Sequence, residues 1–85
     1  SSDPSIRKDA IIALGHSGLA AEKAVPNLIL LLRSDPVAEN RKESALGLGL
    51  LGRNSELAKH ALIDATQDND QSVREAAQLA LSLLE

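Results

Sequence analysis

Apolar and small residues recur along this chain at helical spacing, in three stretches that resemble one another. Arg7, Arg41 and Arg74 recur at nearly equal intervals; each is followed at +3 and +6 by a small residue and at +7 by leucine. The stretches read Ala10-Ile-Ile-Ala13-Leu-Gly15, Ser44-Ala-Leu-Gly47-Leu-Gly49 and Ala77…Ala80-Leu81. A period in the thirties with a helical rhythm inside each unit predicts stacked helical hairpins. The expected fold is all-α: a right-handed superhelical stack of antiparallel hairpins, an α-solenoid of about five helices.

The pattern sets the elements. Asp3 can cap a first helix with Pro4 in its first turn; Ile6, Ala10, Ala13, Leu14 and Ser17 then share one face. That first A helix is expected to stop near Gly15 or Ser17. Its B partner is predicted to begin between Ala21 and Val25, with Pro26 in the first turn, and to reach Arg33. Leu28, Leu31 and Leu32 share its inner face, and Leu30 points away. Asp35-Pro36 opens a second A helix that runs to about Leu51 and breaks at Gly52. Asn54 or Ser55 caps a second B helix, with Ala58, Ala61, Leu62 and Ala65 inward. Val73, Ala76, Ala77, Ala80, Leu81 and Leu84 mark a last helix. Residues 1–85 read as a single domain with repeats 3–34, 35–69 and an incomplete 70–85. Leu79 and Leu83 on the flank of that last helix favour a piece of a longer solenoid over a capped end.

Composition narrows the core. The 85 residues contain no Phe, Trp, Tyr, Met or Cys, so 16 Leu, 13 Ala, five Ile and three Val must fill it. Leucine and alanine are strong helix formers, and the shortage of β-branched residues argues against a sheet. The net charge of −3 and the scattered basic residues argue against a general affinity for nucleic acid. No run approaches the length needed to span a bilayer. The lack of cysteine excludes disulfides and thiolate metal sites and fits a cytoplasmic location.

The chain resembles the short-repeat type of HEAT-like repeat proteins, a group that includes phycobilin lyase subunits. The resemblance rests on Asp3-Pro-Ser-Ile-Arg7, Ala13-Leu-Gly15, Ala24-Val-Pro-Asn-Leu28 and Asp70-Gln-Ser-Val-Arg74, and covers residues 3–85. Ala45-Leu-Gly-Leu-Gly-Leu50 also resembles repeats of large proteasome regulatory subunits. The family pattern implies that Asp3, Asp35 and Asp70 cap the A helices. It also implies that Arg7, Arg41 and Arg74 reach to a neighbouring repeat. The middle unit departs from it, with four residues instead of two between Asp-Pro and Arg41.

Features that look chemical have simpler readings. Gly47-Leu-Gly49-Leu-Leu-Gly52 matches G-x-G-x-x-G, but the glycines end a helix and no βαβ unit surrounds them, so close packing and termination explain them. His16 and His60 lie far apart in the chain, without the clustered ligands of a zinc site. Asp68-Asn69-Asp70 lacks the glycine and glutamate of an EF-hand loop and reads as a helix cap. Arg7-Lys8, Arg41-Lys42 and Arg74 are interleaved with Asp9, Glu43 and Glu75, which favours a solvated face or ion pairs between repeats over a phosphate-binding ridge. No metal, cofactor or catalytic residue is expected, and the sequence favours a binding protein over an enzyme.

In HEAT-like stacks the B helices line the concave face. That resemblance places Asn27, Leu30, Arg33, Lys59, His60, Ile63, Asp64 and Gln67 on it. Leu30 and Ile63 are apolar where the hairpin core has no claim, ringed by polar residues as in a binding patch. The leading expectation is a non-catalytic scaffold for a protein partner, or for adjacent repeats of a longer chain. An enzyme-associated subunit holding a chromophore or small molecule comes second and a nucleic-acid binder third. Self-association through the last helix is also open, and no membrane partner is expected.

Overall fold

The computed structural model describes residues 18–85, with side chains from residue 23 onward. Four helices follow one another: α1 (Gly18–Ser34), α2 (Ala38–Leu51), α3 (Glu56–Ala65) and α4 (Gln71–Leu83). They are the first B, second A, second B and third A helices of the predicted series. The predicted first A helix, with Asp3, Arg7 and His16, lies outside the described residues.

The helices form two layers. α2 packs most extensively on α4 and next on α1, while α3 lies on α4 and α1. The contact between α2 and α3, the two arms of one hairpin, is the smallest. The described chain measures 32 × 32 × 16 Å. The short dimension is that of two helix layers with axes roughly 10 Å apart. Helical hairpins stacked side by side, with A helices in one layer and B helices in the other, make an α-solenoid.

Burial follows the predicted faces. Leu28, Leu48, Leu62 and Val73 are wholly buried, among Ala45, Ala58, Ala61, Ala77 and Ala80. Each large aliphatic side chain so buried contributes roughly 1.5–3 kcal/mol, and the alanines bring the helix backbones close enough to exclude water. α1 departs from expectation at one end. It starts at Gly18, so Pro26 sits in its interior and not its first turn.

The three glycines of Gly47-x-Gly49-x-x-Gly52 are packing points against three different helices. A Cβ on Gly47 would lie 3.2 Å from Leu28 Cδ1 of α1. One on Gly49 would lie 2.8 Å from Ala80 Cα of α4, and one on Gly52 would lie 2.7 Å from Ala58 Cβ of α3. No glycine among the described residues has a positive φ, so space rather than backbone freedom requires them here. Gly52 is also the C-cap of α2, its N–H donating to Leu48 O at 2.7 Å.

The starts of α2 and α4 correct the sequence register. Asp35 Oδ1 accepts from Val37 N at 2.8 Å, and Asp68 Oδ1 accepts from Asp70 N at 2.9 Å. Arg41 Nη1 donates to Asp35 O at 2.9 Å, and Arg74 Nη1 to Asp68 O at 2.7 Å. Asp35 is therefore the counterpart of Asp68, not of Asp70. The middle unit contains no insertion: residues 35–51 and 68–84 correspond one to one, at the offset that separates Arg41 from Arg74. The N-cap positions are Val37 and Asp70. Asp70 Oδ1 accepts from the N–H groups of Ser72 and Val73, whereas Val37 offers no side-chain cap. The family role of helix cap thus holds for Asp70 and fails for Asp35, which folds the turn before the helix instead.

Candidate binding face

The A-helix starts fix how neighbouring units sit. Arg41 reaches forward to the next turn, where Nε is 3.1 Å from Asp68 Oδ2 and Nη2 is 3.2 Å from Asp68 Oδ1. A bidentate guanidinium–carboxylate pair is the strongest geometry such groups adopt. The two side chains are only 15% and 14% exposed, which makes this an internal clasp between repeats. Burial opposes ionisation of Asp68, but the Arg41 guanidinium and the Asp70 N–H outweigh it and hold the carboxyl below its ordinary value. Asp70 is also held low, chiefly by the Ser72 hydroxyl and then by the Val73 N–H. Asp68 and Asp70 thus spend their oxygens on Arg41 and on the start of α4, and Arg74 turns inward to Asp68 O. Arg41 and Arg74, the arginines of the predicted basic ridge that fall within the described residues, are consumed by these contacts.

The B layer carries the predicted face. Leu30 on α1 and Ile63 on α3 are 61% and 53% exposed. They occupy equivalent positions, offset just as Arg41 and Arg74 are, one apolar side chain per repeat. Beside them Arg33 Nη1 meets Asp64 Oδ2 at 2.8 Å across the gap between α1 and α3. Both partners are well exposed, so the pair orients the face more than it stabilises the fold. Asn27, His60 and Gln67 are exposed, and Lys59 stands over α3 with Nζ 3.5 Å from Glu56 Oε1. α3 is held in place by Ser55, whose Oγ accepts from Ala58 N at 3.1 Å.

Beneath the Arg33–Asp64 pair runs a groove of about 180 Å³, floored by Leu32, Ala61 and Ala65 and reaching Asp68. Its volume is below the roughly 300–1,000 Å³ of small-molecule sites. Among the described residues no group of three or more His, Cys, Asp or Glu is placed to hold a metal ion. No described helix is long and apolar enough to cross a membrane.

A two-layer stack, a constant repeat register and an arginine clasp between repeats agree with a sequence match. A family profile for HEAT repeats covers residues 1–82. The chain belongs to the HEAT repeat family. The 26S proteasome regulatory subunit RPN2 of Saccharomyces cerevisiae is 34% identical over 85 residues, covering 98% of this chain and 9% of that protein. The HEAT chain therefore corresponds to a small segment of that relative. No solved structure gives a significant match.

Sequence reasoning misses two things on this HEAT stack. Asp68 does not stand out as the hub of the clasp, although its spacing from Asp35 matches that of Arg74 from Arg41. Leu50 and Leu57 are 59% and 71% exposed, and nothing in the periodicity singles them out. Leu50 is the counterpart of Leu83, which is 47% exposed. Exposure at this position is thus shared by two units of the repeat.

Proposed function

We propose that this chain is a non-catalytic protein-binding scaffold whose B-layer face, formed by Asn27, Leu30, Arg33, Lys59, His60, Ile63, Asp64 and Gln67, receives a protein partner. The observation that carries this reading is the paired exposure of Leu30 and Ile63 at equivalent positions, framed by the Arg33–Asp64 bridge. Apolar centres with polar rims are the anatomy of interfaces. Neither side chain belongs to the buried core. The yeast relative is a regulatory subunit of the 26S proteasome, a component of an assembly, which supports protein binding over catalysis. A cytoplasmic location and binding to adjacent repeats of a longer chain belong to the same reading.

The test is the double variant Leu30→Asp/Ile63→Asp. Circular dichroism should show unchanged helicity, since both side chains are exposed. Proteins captured on the immobilised wild-type chain should be lost from the variant. Capture of the same set by both would overturn the assignment of this face.

A further inference from the structure

Leu46 of α2 and Leu79 of α4 are counterparts, offset as Arg41 and Arg74 are, and so are Lys42 and Glu75. On each helix the leucine stands one turn after the charged residue, on the same side. A groove of about 240 Å³ runs between the two rows, lined by Lys42, Leu46, Ser72, Glu75, Ala76 and Leu79. Both of its walls are A helices of adjoining units, held together where Gly49 admits Ala80, so the stack itself sets its width. Leu46 and Leu79 fall off the buried stripes of Ser44 and Leu48 on α2 and of Val73, Ala77 and Ala80 on α4. That puts the groove on the outside of the A layer, away from Leu30 and Ile63. Leu46 is half-buried and Leu79 is exposed, with polar Glu43, Gln71 and Gln78 around them.

The two walls are alike in their leucines and opposite in charge. Glu75 accepts from Gln71 Nε2 at 3.1 Å, a neutral donor that leaves the carboxylate its charge. Among the described residues no carboxylate pairs with Lys42. We propose that this groove is the contact of a symmetric dimer, in which a second copy of the chain lays its own α2 and α4 on it with the two-fold axis running along the groove. That axis sets α2 of one copy on α4 of the other. Lys42 then faces the partner's Glu75, Glu75 faces the partner's Lys42, and the leucines of both copies meet between them. Such self-complementarity is what an isologous contact requires. An axis across the groove would set α2 on α2 instead and lay Lys42 over a leucine. Opposite charge on the two walls therefore selects both the occupant and the register. Two helices a side make a small interface, of the weak class below about 1,200 Å², so dimerisation is expected between about 10 μM and 1 mM.

The test is the solution mass of the full chain by light scattering over a concentration series. Lys42→Glu and Glu75→Lys should each weaken the dimer about tenfold, since each sets two like charges against each other in place of each ion pair. An equimolar mixture of the two variants should dimerise as wild type does, because every facing pair is then again opposite in sign. The double swap Lys42→Glu/Glu75→Lys should restore it too, and does so in a single chain whatever either variant does alone. Leu79→Ser, at an exposed position, should also weaken the dimer about tenfold. Leu30→Asp/Ile63→Asp should dimerise like wild type, so loss of captured partners in that variant reports on the B-layer face alone. A monomer at every concentration up to about 1 mM would overturn the proposal and leave the groove to a foreign partner. A dimer indifferent to Glu75→Lys and Leu79→Ser, one broken by the B-layer variant, or charge variants that neither mixing nor the double swap restores would each overturn it as well.

Discussion

The turn at Asp35 and the turn at Asp68 do the same task with different residues. Each folds an aspartate onto the N–H two residues on, and each is locked by an arginine six residues on that donates to the aspartate carbonyl. Around this shared frame the side chains diverge. Asp70 caps α4, but Val37 leaves α2 uncapped. The core position three residues later is Val73 in one unit and Asn40 in the other, both wholly buried. Asn40 Nδ2 donates to Asp35 Oδ1 at 3.3 Å, while its Oδ1 has no hydrogen-bond partner. The frame is what a repeat must keep to stack, because it sets the direction of the A helix. Cap and core residues only adjust how firmly it is held.

The largest way to break the comparison is to remove the contact that joins the two turns. Arg41→Ala leaves the largely enclosed Asp68 without its cation and should cost about 2–3 kcal/mol. Arg74→Ala removes one donor to a carbonyl and should cost about 1 kcal/mol. The two should also differ in pH dependence. Asp68 titrates lower in the folded protein than in the unfolded chain. The stability it contributes is therefore present above the unfolded value of about 3.9 and lost as pH falls through the folded one. Urea unfolding at neutral pH should separate Arg41→Ala from wild type, and the gap should begin to narrow as pH falls below about 4, down to the part that the bond from Arg41 to the Asp35 carbonyl contributes. An equal gap at both pH values would show that the ion pair is not its source.

Packing of the glycines sharpens the same contrast between places where the stack is tight and where it yields. Gly49→Ala forces a Cβ onto the backbone of Ala80. Overpacking of about 1–3 kcal/mol should outweigh the roughly 1 kcal/mol gained in helix propensity. Gly47→Ala meets only the end of the Leu28 side chain, which can turn aside, so propensity should win and stability rise slightly. Thermal unfolding of both variants decides it, and destabilisation by Gly47→Ala equal to that by Gly49→Ala would refute the distinction.

The glycines also show what the sequence makes legible. Helical spacing places α2, its end at Gly52 and the inward stripe of α3, because amphipathic periodicity is a local property. The spacing of Arg41 and Arg74 foretells the length of the repeat. The register within that repeat is misread, because Asp-Pro and Asp-x-x-Val-Arg both look like helix starts and side-chain identity cannot say which aspartate folds a turn and which caps. The helix that each glycine faces is equally invisible, since it depends on how layers stack and not on one helix alone. Leu30 and Ile63 are legible as outward positions for the same reason that the core is: they fall off its stripe.

Asn40 is a smaller lever. Replacing it with the valine found at its counterpart removes a buried acceptor that has no partner. Asp35 keeps its bond to Val37 N and has other interactions as well. Asn40→Val should therefore stabilise the chain by about 1 kcal/mol, the lower end of the penalty for an unsatisfied buried polar group. A destabilised variant in urea unfolding would mean that the bond from Asn40 Nδ2 to Asp35 outweighs the orphaned oxygen.

The mildest change makes the two turns more alike at the cap. Val37 has the extended backbone of an N-cap, φ −96° and ψ 119°, so a serine there needs no rearrangement to turn its hydroxyl toward the first N–H groups of α2. Ser55 already does this for α3, with φ −110° and ψ 111°. Serine is preferred to aspartate because Asp35 stands two residues away and a second carboxylate would repel it. Val37→Ser should add somewhat under 1 kcal/mol, a gain of about 1 kcal/mol from capping less the apolar contact of a half-buried valine. That corresponds to a rise of a few degrees in melting temperature for a chain of this size. Hydrogen exchange localises the effect. Protection should increase in the first turn of α2 and stay constant in α4, where Asp70 already supplies the cap. A uniform rise across both helices would assign the gain to the unfolded chain and not to the cap.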